Sequence, residues 1–305
     1  MFDLKQNNSI DRYKFFRDVH VWPLADEFNF QGWLKNFEID SNDYKIACHI
    51  LDFFNYYPKK MVDQMLIASV GRAGYELSKH FSDWQHSDFK NRCIYTFIPG
   101  EIQNPSDSGN LFMRKLRDVL EIDENKFVDY KDIHDLLEGT KTPLPIVFVD
   151  DFVGSGMQCY TAWCITEGGR NSRTLSQISK LCGHKFVYAP LLVNYKGYEC
   201  IKKHCTDLIL SPSHIIGAEY NLFNSNCICW KGDLSLFHSG IEMILRKSSE
   251  LGIPSTNGQH VNDEKGFHAQ GLALAFEHGA PDAIPAFFYW CADGWTPLIK
   301  KKYKR

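Results

Sequence analysis

Long apolar runs are missing from this chain of 305 residues. No stretch approaches the roughly 20 residues that cross a bilayer as a helix, so no membrane partner is expected. Net charge is nearly missing too: 34 Lys and Arg stand against 37 Asp and Glu, a formal −3. So small a balance argues neither for nor against a nucleic-acid surface. Met1 to Ile10 is polar and lacks an apolar segment, so no signal peptide is expected. Ten cysteines are present, but not as a framework; the closest pair, Cys227 and Cys229, is a C-x-C with no second pair at zinc spacing. Reduced thiols and a cytoplasmic location are the expectation. His260, His268, His278 and Cys291 are the set whose convergence would make a metal site. Internal repeats and long low-complexity segments are also lacking.

Apolar residues make up 44 % of the chain, enough for a sizeable core. The first ninety residues read as a helical N-terminal cap (1–90). Helical stripes run over Asp43 to Tyr57, closed by Pro58, and over Met61 to Phe81, with a break expected near Gly71. Dense aromatics before them (Phe15, Phe16, Trp22, Phe28, Phe30, Trp33 and Phe37) read as core packing. From Cys93 onward strands and helices alternate. Strands are expected in "CIYTFIPG", at Ile146 to Val149, Phe186 to Val193, Leu208 to Leu210 and Ala286 to Trp290. Helices are expected at Leu111 to Ile122, Met157 to Glu167 (stopped by Gly168-Gly169) and Gly197 to His204. Pro190 marks its strand as an edge or a bulge. This alternation predicts an α/β fold around a mostly parallel sheet spanning 91–305, with helical additions at both ends and a helical insertion at about 232–280. Ser255 to Lys265 has the composition of a mobile loop.

The informative stretch is "IVFVDDFVGSGMQ", Ile146 to Gln158. An apolar strand runs into adjacent acids, Asp150 and Asp151, and a glycine-flanked loop then leads to a helix. In an open parallel sheet, ligands bind beyond the carboxyl ends of the strands. The helix N-terminus offers unpaired N–H groups to an anion, and glycines let the backbone approach it. Two ionised carboxylates accept hydrogen bonds only, so side by side they suit two adjacent hydroxyl donors, as in a ribose diol. Carboxylates and phosphates are also the usual ligands of Mg²⁺. The pattern reads as ribose 5-phosphate recognition.

The stretch resembles the phosphoribosyl pyrophosphate motif of type I phosphoribosyltransferases. The resemblance implies that Asp150 and Asp151 hold the ribose hydroxyls and act at the reacting sugar, and that Val153, Gly154, Ser155 and Gly156 hold the 5-phosphate. It further implies a Mg²⁺ cofactor. Two departures stand out: Gly154 replaces a usual hydroxyl residue, and Met157 and Gln158 replace usual small residues. Upstream, "FIPGEIQNPSDSGNLFMRKL" resembles the segment that binds pyrophosphate in that family, with Ser106, Asp107, Ser108, Gly109 and Arg114 as candidates; it is longer than usual and its loop carries no basic residue. Together with "WLKNF" and the final "IPAFFYWCADGWTPL", these pieces resemble phosphoribosyltransferase-like proteins of bacterial conflict systems, including effectors encoded beside retron reverse transcriptases. That wider resemblance implies antiphage defence, with a reverse transcriptase, its single-stranded DNA/RNA and a winged-helix protein as partners.

Other readings compete at each position. The acid pair also suits surface carboxylates or a cap for the next helix. Ser106 to Gly109 also suits a plain turn, and Arg72 in "SVGRAG" a helix-surface arginine. Trp290 and Trp295 suit base stacking, or core closure together with Pro297 and Leu298. Gln158 suits ligand contact or solvent. The basic tail Lys300 to Arg305 suits phosphate, another subunit or plain solvation. For the whole chain two readings follow. One is an effector enzyme that transfers or hydrolyses at the anomeric carbon of phosphoribosyl pyrophosphate or a nucleotide. The other is an inactive sensor or scaffold that binds the same ligand.

Overall fold

The computed structural model describes residues 6–19, 27–100, 108–164 and 173–300. Trp22, Ser106, Asp107, the Gly168-Gly169 stop and tail residues 301–305 lie outside them. In chain order the helices and strands are α1 (Gln6–Asp18), α2 (Phe30–Leu34), α3 (Asn42–Phe53), β1 (Asn55–Tyr57), α4 (Lys59–Ser78), α5 (Asp88–Asn91), β2 (Ile94–Phe97), α6 (Ser108–Leu120), α7 (Tyr130–Gly139), β3 (Pro145–Val153), α8 (Met157–Cys164), α9 (Leu175–Cys182), β4 (Lys185–Asn194), α10 (Tyr195–His204), β5 (Ile209–Leu210), β6 (His214–Ile216), α11 (Leu234–Glu250) and β7 (Leu274–Phe276). Among the described residues no helix is long and apolar enough to cross a membrane. The chain divides into two compact units, Met1–Met61 with Gly217–Arg305 and Val62–Ile216. The boundary drawn at residue 90 from the sequence falls inside the second.

That second unit holds the α/β sheet expected from the sequence. Its order is β2-β3-β4-β5, with β6 also on β4, and every pairing is parallel. Ile146, Phe148, Phe186 and Tyr188 pack with apolar residues of α7, α8, α9 and α10 in one core. α6 lies over β2 and β3, where Gly109 rests on the Phe97 ring; a Cβ there would stand 2.1 Å from Cδ2. An ion pair from Lys115 to Asp63 ties α6 to α4. The α4 helix runs unbroken through Gly71, where an added Cβ would meet nothing within 4 Å outside its own helix. A break there is not needed, because glycine lowers helix propensity without forbidding helix.

Pro190 is a second correction. It lies in β4, which has partners on both sides, and it pairs with Asp150 in register. β5 covers β4 up to Tyr188, and β6 resumes at Leu192. The Pro190 carbonyl accepts from Ser213 N–H at 3.1 Å, so its imide nitrogen faces the gap between those two short strands. The missing donor therefore costs no ladder bond to β3.

In the first unit, the helical stripe from Asp43 stops at Phe53, and Asn55–Tyr57 pairs in parallel with Leu274–Phe276. The β-favouring tyrosines reach a partner strand far along the chain, which outweighs a few more helical residues. Phe28, Phe30, Trp33 and Phe37 are buried as expected, whereas Phe15 is 58 % exposed. Trp295 packs on Phe37 and Phe287, and Leu298 is fully buried. The Trp290 indole donates to Leu251 O at 3.0 Å. These contacts match the core reading. Ala286 to Phe288 is a 3-10 turn after Pro285 rather than a strand.

Residues 255–265 form a loop that wraps around Asp263. This fully buried carboxylate accepts from Thr256 N (2.6 Å), Thr256 Oγ1 (2.8 Å) and Lys265 N (2.9 Å). Burial pushes its proton affinity up, but these bonds win and hold its pKa below the ordinary value. Asp263→Ala is expected to cost about 3 kcal/mol in urea denaturation at neutral pH. The native pKa is depressed, so this contribution is present above the unfolded value of about 3.9 and is lost as pH falls from there through the native value. The wild-type advantage over the variant should shrink in that acid window.

Candidate functional site

β3 does not stop at Val149. Its pairing with β2 ends at Phe97–Val149, but β4 stays paired with it through Val153. The acids are therefore the first residues of a strand segment that projects past β2 at the carboxyl edge of the sheet. This is where ligands of open parallel sheets sit. Strand length here is set by β4, a tertiary partner, and not by the acids.

The two carboxyl groups have different surroundings. Asp150 is 8 % exposed. Its Oδ2 is bonded to the Tyr188 hydroxyl at 2.7 Å, and its Oδ1 accepts Asp151 N–H at 2.9 Å. Asp151 is half-buried; its Oδ1 accepts from Ser108 Oγ at 3.1 Å and from Phe152 N–H at 3.0 Å. The groups remain within hydrogen-bonding reach of each other. Burial first, and the neighbouring Asp151 charge second, raise the Asp150 pKa well above the carboxylate range. An upward shift at Asp150 eases the repulsion that the sequence poses, because its neutral form does not repel Asp151. The Tyr188 hydroxyl is raised in turn, again mainly by burial.

The loop is equally specific. Gly156 has φ +79°, and a Cβ on it would stand 2.9 Å from Gly197 O and 3.0 Å from Cys200 Cβ. Gly197 repays the contact, since its own Cβ would stand 2.8 Å from Gly154 O and from Val153 Cγ1. The loop is thus pressed onto the first turn of α10. α8 starts directly behind it: Tyr160 N–H donates to Gly156 O at 2.9 Å, and Met157 N–H to Ser155 Oγ at 3.3 Å. Val153 and Gly156 are buried, Gly154 and Ser155 half-buried, and Met157 and Gln158 exposed.

Of the upstream candidates, Ser108 and Gly109 open α6, and Ser108 reaches Asp151. Arg114 does not join them. It lies six residues further along α6, about 9 Å along the axis, and is 72 % exposed in a pair with Asp118 at 3.4 Å. Arg72 is an exposed helix-surface residue bonded to Pro212 O at 3.2 Å. Among the described residues no three His, Cys, Asp or Glu side chains are grouped to hold a metal ion, so His260, His268, His278 and Cys291 are not gathered into one.

Three residues at this edge escaped the sequence reading. Tyr188 is a polar tip in an apolar strand, but its relation to Asp150 needs the strand register. Gly197 is legible only through the loop it touches. Lys196 beside it is a half-buried cation whose pKa is lowered by burial.

The parallel sheet carries the acid pair at its carboxyl edge and the glycine-bounded loop into α8, and the family match makes this a phosphoribosyltransferase-like protein. A model of the PRTase-CE family matches residues 30–301, and the chain belongs to that family. No curated protein and no solved structure matches it.

Proposed function

We propose that the chain binds a ribosyl 5-phosphate, as phosphoribosyl pyrophosphate or a nucleotide, and acts at its anomeric carbon. The observation that carries this is the acid pair at the carboxyl edge of β3, with Asp150 buried and held by Tyr188 and Asp151 half-buried beside Ser108. In this reading Asp151 accepts from the ribose hydroxyls and stabilises the positive charge that develops at an oxocarbenium-like centre. Asp150, held by Tyr188, is a positioning residue. The 5-phosphate lies at the N-terminus of α8 over Gly154 to Gly156, and Ser108 and Gly109 border the leaving group. Mg²⁺ fits as an ion carried by the substrate pyrophosphate, because a single ionised carboxylate and phosphates are a usual ligand set. Asp151 would hold it, and it would neutralise charge on the leaving pyrophosphate.

A second reading, a binder without turnover, draws on the engagement of Asp150 by Tyr188 and on the departures at Gly154, Met157 and Gln158. In either case we place the protein in bacterial antiphage defence of the retron type, a setting suggested by its likeness to conflict-system effectors. The partners would be a reverse transcriptase with its single-stranded nucleic acid and a winged-helix protein. Calorimetric titration of the full chain with phosphoribosyl pyrophosphate and Mg²⁺, with product analysis, tests the core of the reading. Saturable binding with release of pyrophosphate or ribose phosphate is the result expected of an enzyme. Saturable binding without products selects the second reading. The absence of binding by phosphoribosyl pyrophosphate and by nucleotides would overturn both.

A further inference from the structure

Four of the ten cysteines converge behind the loop that joins β3 to α8. Cys159 and Cys164 lie on α8, Cys200 lies on α10, and Cys205 caps the end of α10. The two helices pack against each other, with Gly156 against Cys200. All four thiols are free. Cys159 and Cys205 are 1 % exposed, while Cys164 and Cys200 are half-buried. The Cys164 thiol donates to His204 O at 3.4 Å, which places it beside the next residue, Cys205. Buried cysteines usually serve as small apolar side chains, and their thiols are inert. This group differs in that a half-buried thiol, Cys164, is held on the backbone next to a buried one, Cys205.

We propose that Cys164 and Cys205 are an oxidisable pair that closes to a reversible disulfide between the last residue of α8 and the residue that follows α10, tying together the two helices whose other ends meet the Gly154–Gly156 loop. The oxidant is a peroxide. The Cys164 sulfur attacks one peroxide oxygen, the O–O bond breaks, and Cys164 becomes a sulfenic acid as water or hydroxide departs. The Cys205 sulfur then attacks the sulfenic sulfur. The S–S bond forms, the S–O bond breaks, and the leaving hydroxide takes the Cys205 proton as a second water. Overall two thiols and one hydrogen peroxide give one disulfide and two waters, and a dithiol reverses the change. Cys205 is suited to the second step: hydrogen bonds from Cys159 and then Cys164 lower its pKa against the effect of burial. Cys164 itself is raised, by burial first, so its reaction with peroxide is slow. The pair is thus a site of sustained oxidation. Because α8 begins at the loop, the crosslink fixes the helix that carries Met157 to Cys159.

The test is peptide mapping of the full-length protein under non-reducing conditions, after excess hydrogen peroxide and again after dithiothreitol. The expected product is a peptide with Cys164 joined to one with Cys205, lost on reduction. Cys205→Ser and Cys205→Ala should both remove the crosslink and leave Cys164 oxidised to a sulfinic acid. Cys182→Ser, on α9, should leave it intact. Amide exchange of residues 153–160 should slow in the crosslinked protein. Failure to form the crosslink while the exposed Cys291 is fully oxidised would overturn the proposal. So would a metal ion retained through chelation and released by thiol modification. Neither readout depends on ligand binding, so the outcome is separate from that of the proposed function.

Discussion

Asp151→Asn is expected to weaken phosphoribosyl pyrophosphate binding by at least tenfold, whereas Asp150→Asn is expected to leave affinity within about threefold at neutral pH. The contrast follows from the two environments. Hydrogen bonds from neutral hydroxyls to a charged carboxylate contribute about 1.5–3 kcal/mol, which is a factor of ten or more. Asparagine at 151 removes that charge. At 150 burial first, and then Asp151, push the carboxyl towards its neutral form, which is the form an asparagine mimics. An asparagine there keeps an acceptor for Asp151 N–H and presents an amide donor to the Tyr188 oxygen, so the geometry below Asp151 survives. A sequence reading that gives both acids equal hold on the diol expects equal losses. Calorimetry on the two variants separates the cases, and a large loss in Asp150→Asn would count against the split pair.

The same assignment has a signature in stability. An acid whose native pKa is raised binds more protons in the folded state than in the unfolded state. Stability therefore falls as pH rises from the unfolded value of about 3.9 through the native one. Asp150→Asn removes this cost, so its denaturation midpoint should exceed that of the wild type at neutral pH and approach it in acid.

Four of the five strands of the main sheet were legible because apolar runs such as "IVFV" and "FVYAPLLV" admit few other uses; the short β6 and helix α7 were not read. Strand ends were not, since β3 owes Asp150 to Val153 to pairing with β4. Pro190 misled because the edge rule counts the missing donor without knowing where that donor would point. Ala286 to Trp290 misled because a buried apolar run looks the same in a turn as in a strand. Helix α9 was missed although its capping box at Thr174 and Gln177 is a readable signal. The acids and the loop of the candidate site stood out by composition alone. What could not be read was their division of labour, which depends on Tyr188 and Ser108, residues 38 and 43 positions from their partners.

Gly156→Ala is expected to destabilise the second unit by about 2–4 kcal/mol, the other large effect. Two costs combine. A left-handed φ of +79° costs an L-residue about 1–2 kcal/mol. The added Cβ also meets backbone, Gly197 O at 2.9 Å, which cannot rotate away as a side chain would. Gly71→Ala is the matched control. It sits exposed inside α4 with nothing within 4 Å of its Cβ, and alanine there should stabilise by about 0.5–1 kcal/mol. Urea denaturation of both variants checks the signs. An unchanged midpoint for Gly156→Ala would mean that the loop can leave α10 at little cost. If the loop is as tightly held as these distances imply, its glycines have two duties at once. They bring the chain close to α10 on one side, and they keep its amides uncovered for an anion on the other. Gly197→Ala tests the first duty from outside the loop. Its Cβ would stand 2.8 Å from Gly154 O, so it should displace the loop and lower phosphate affinity without altering any loop residue.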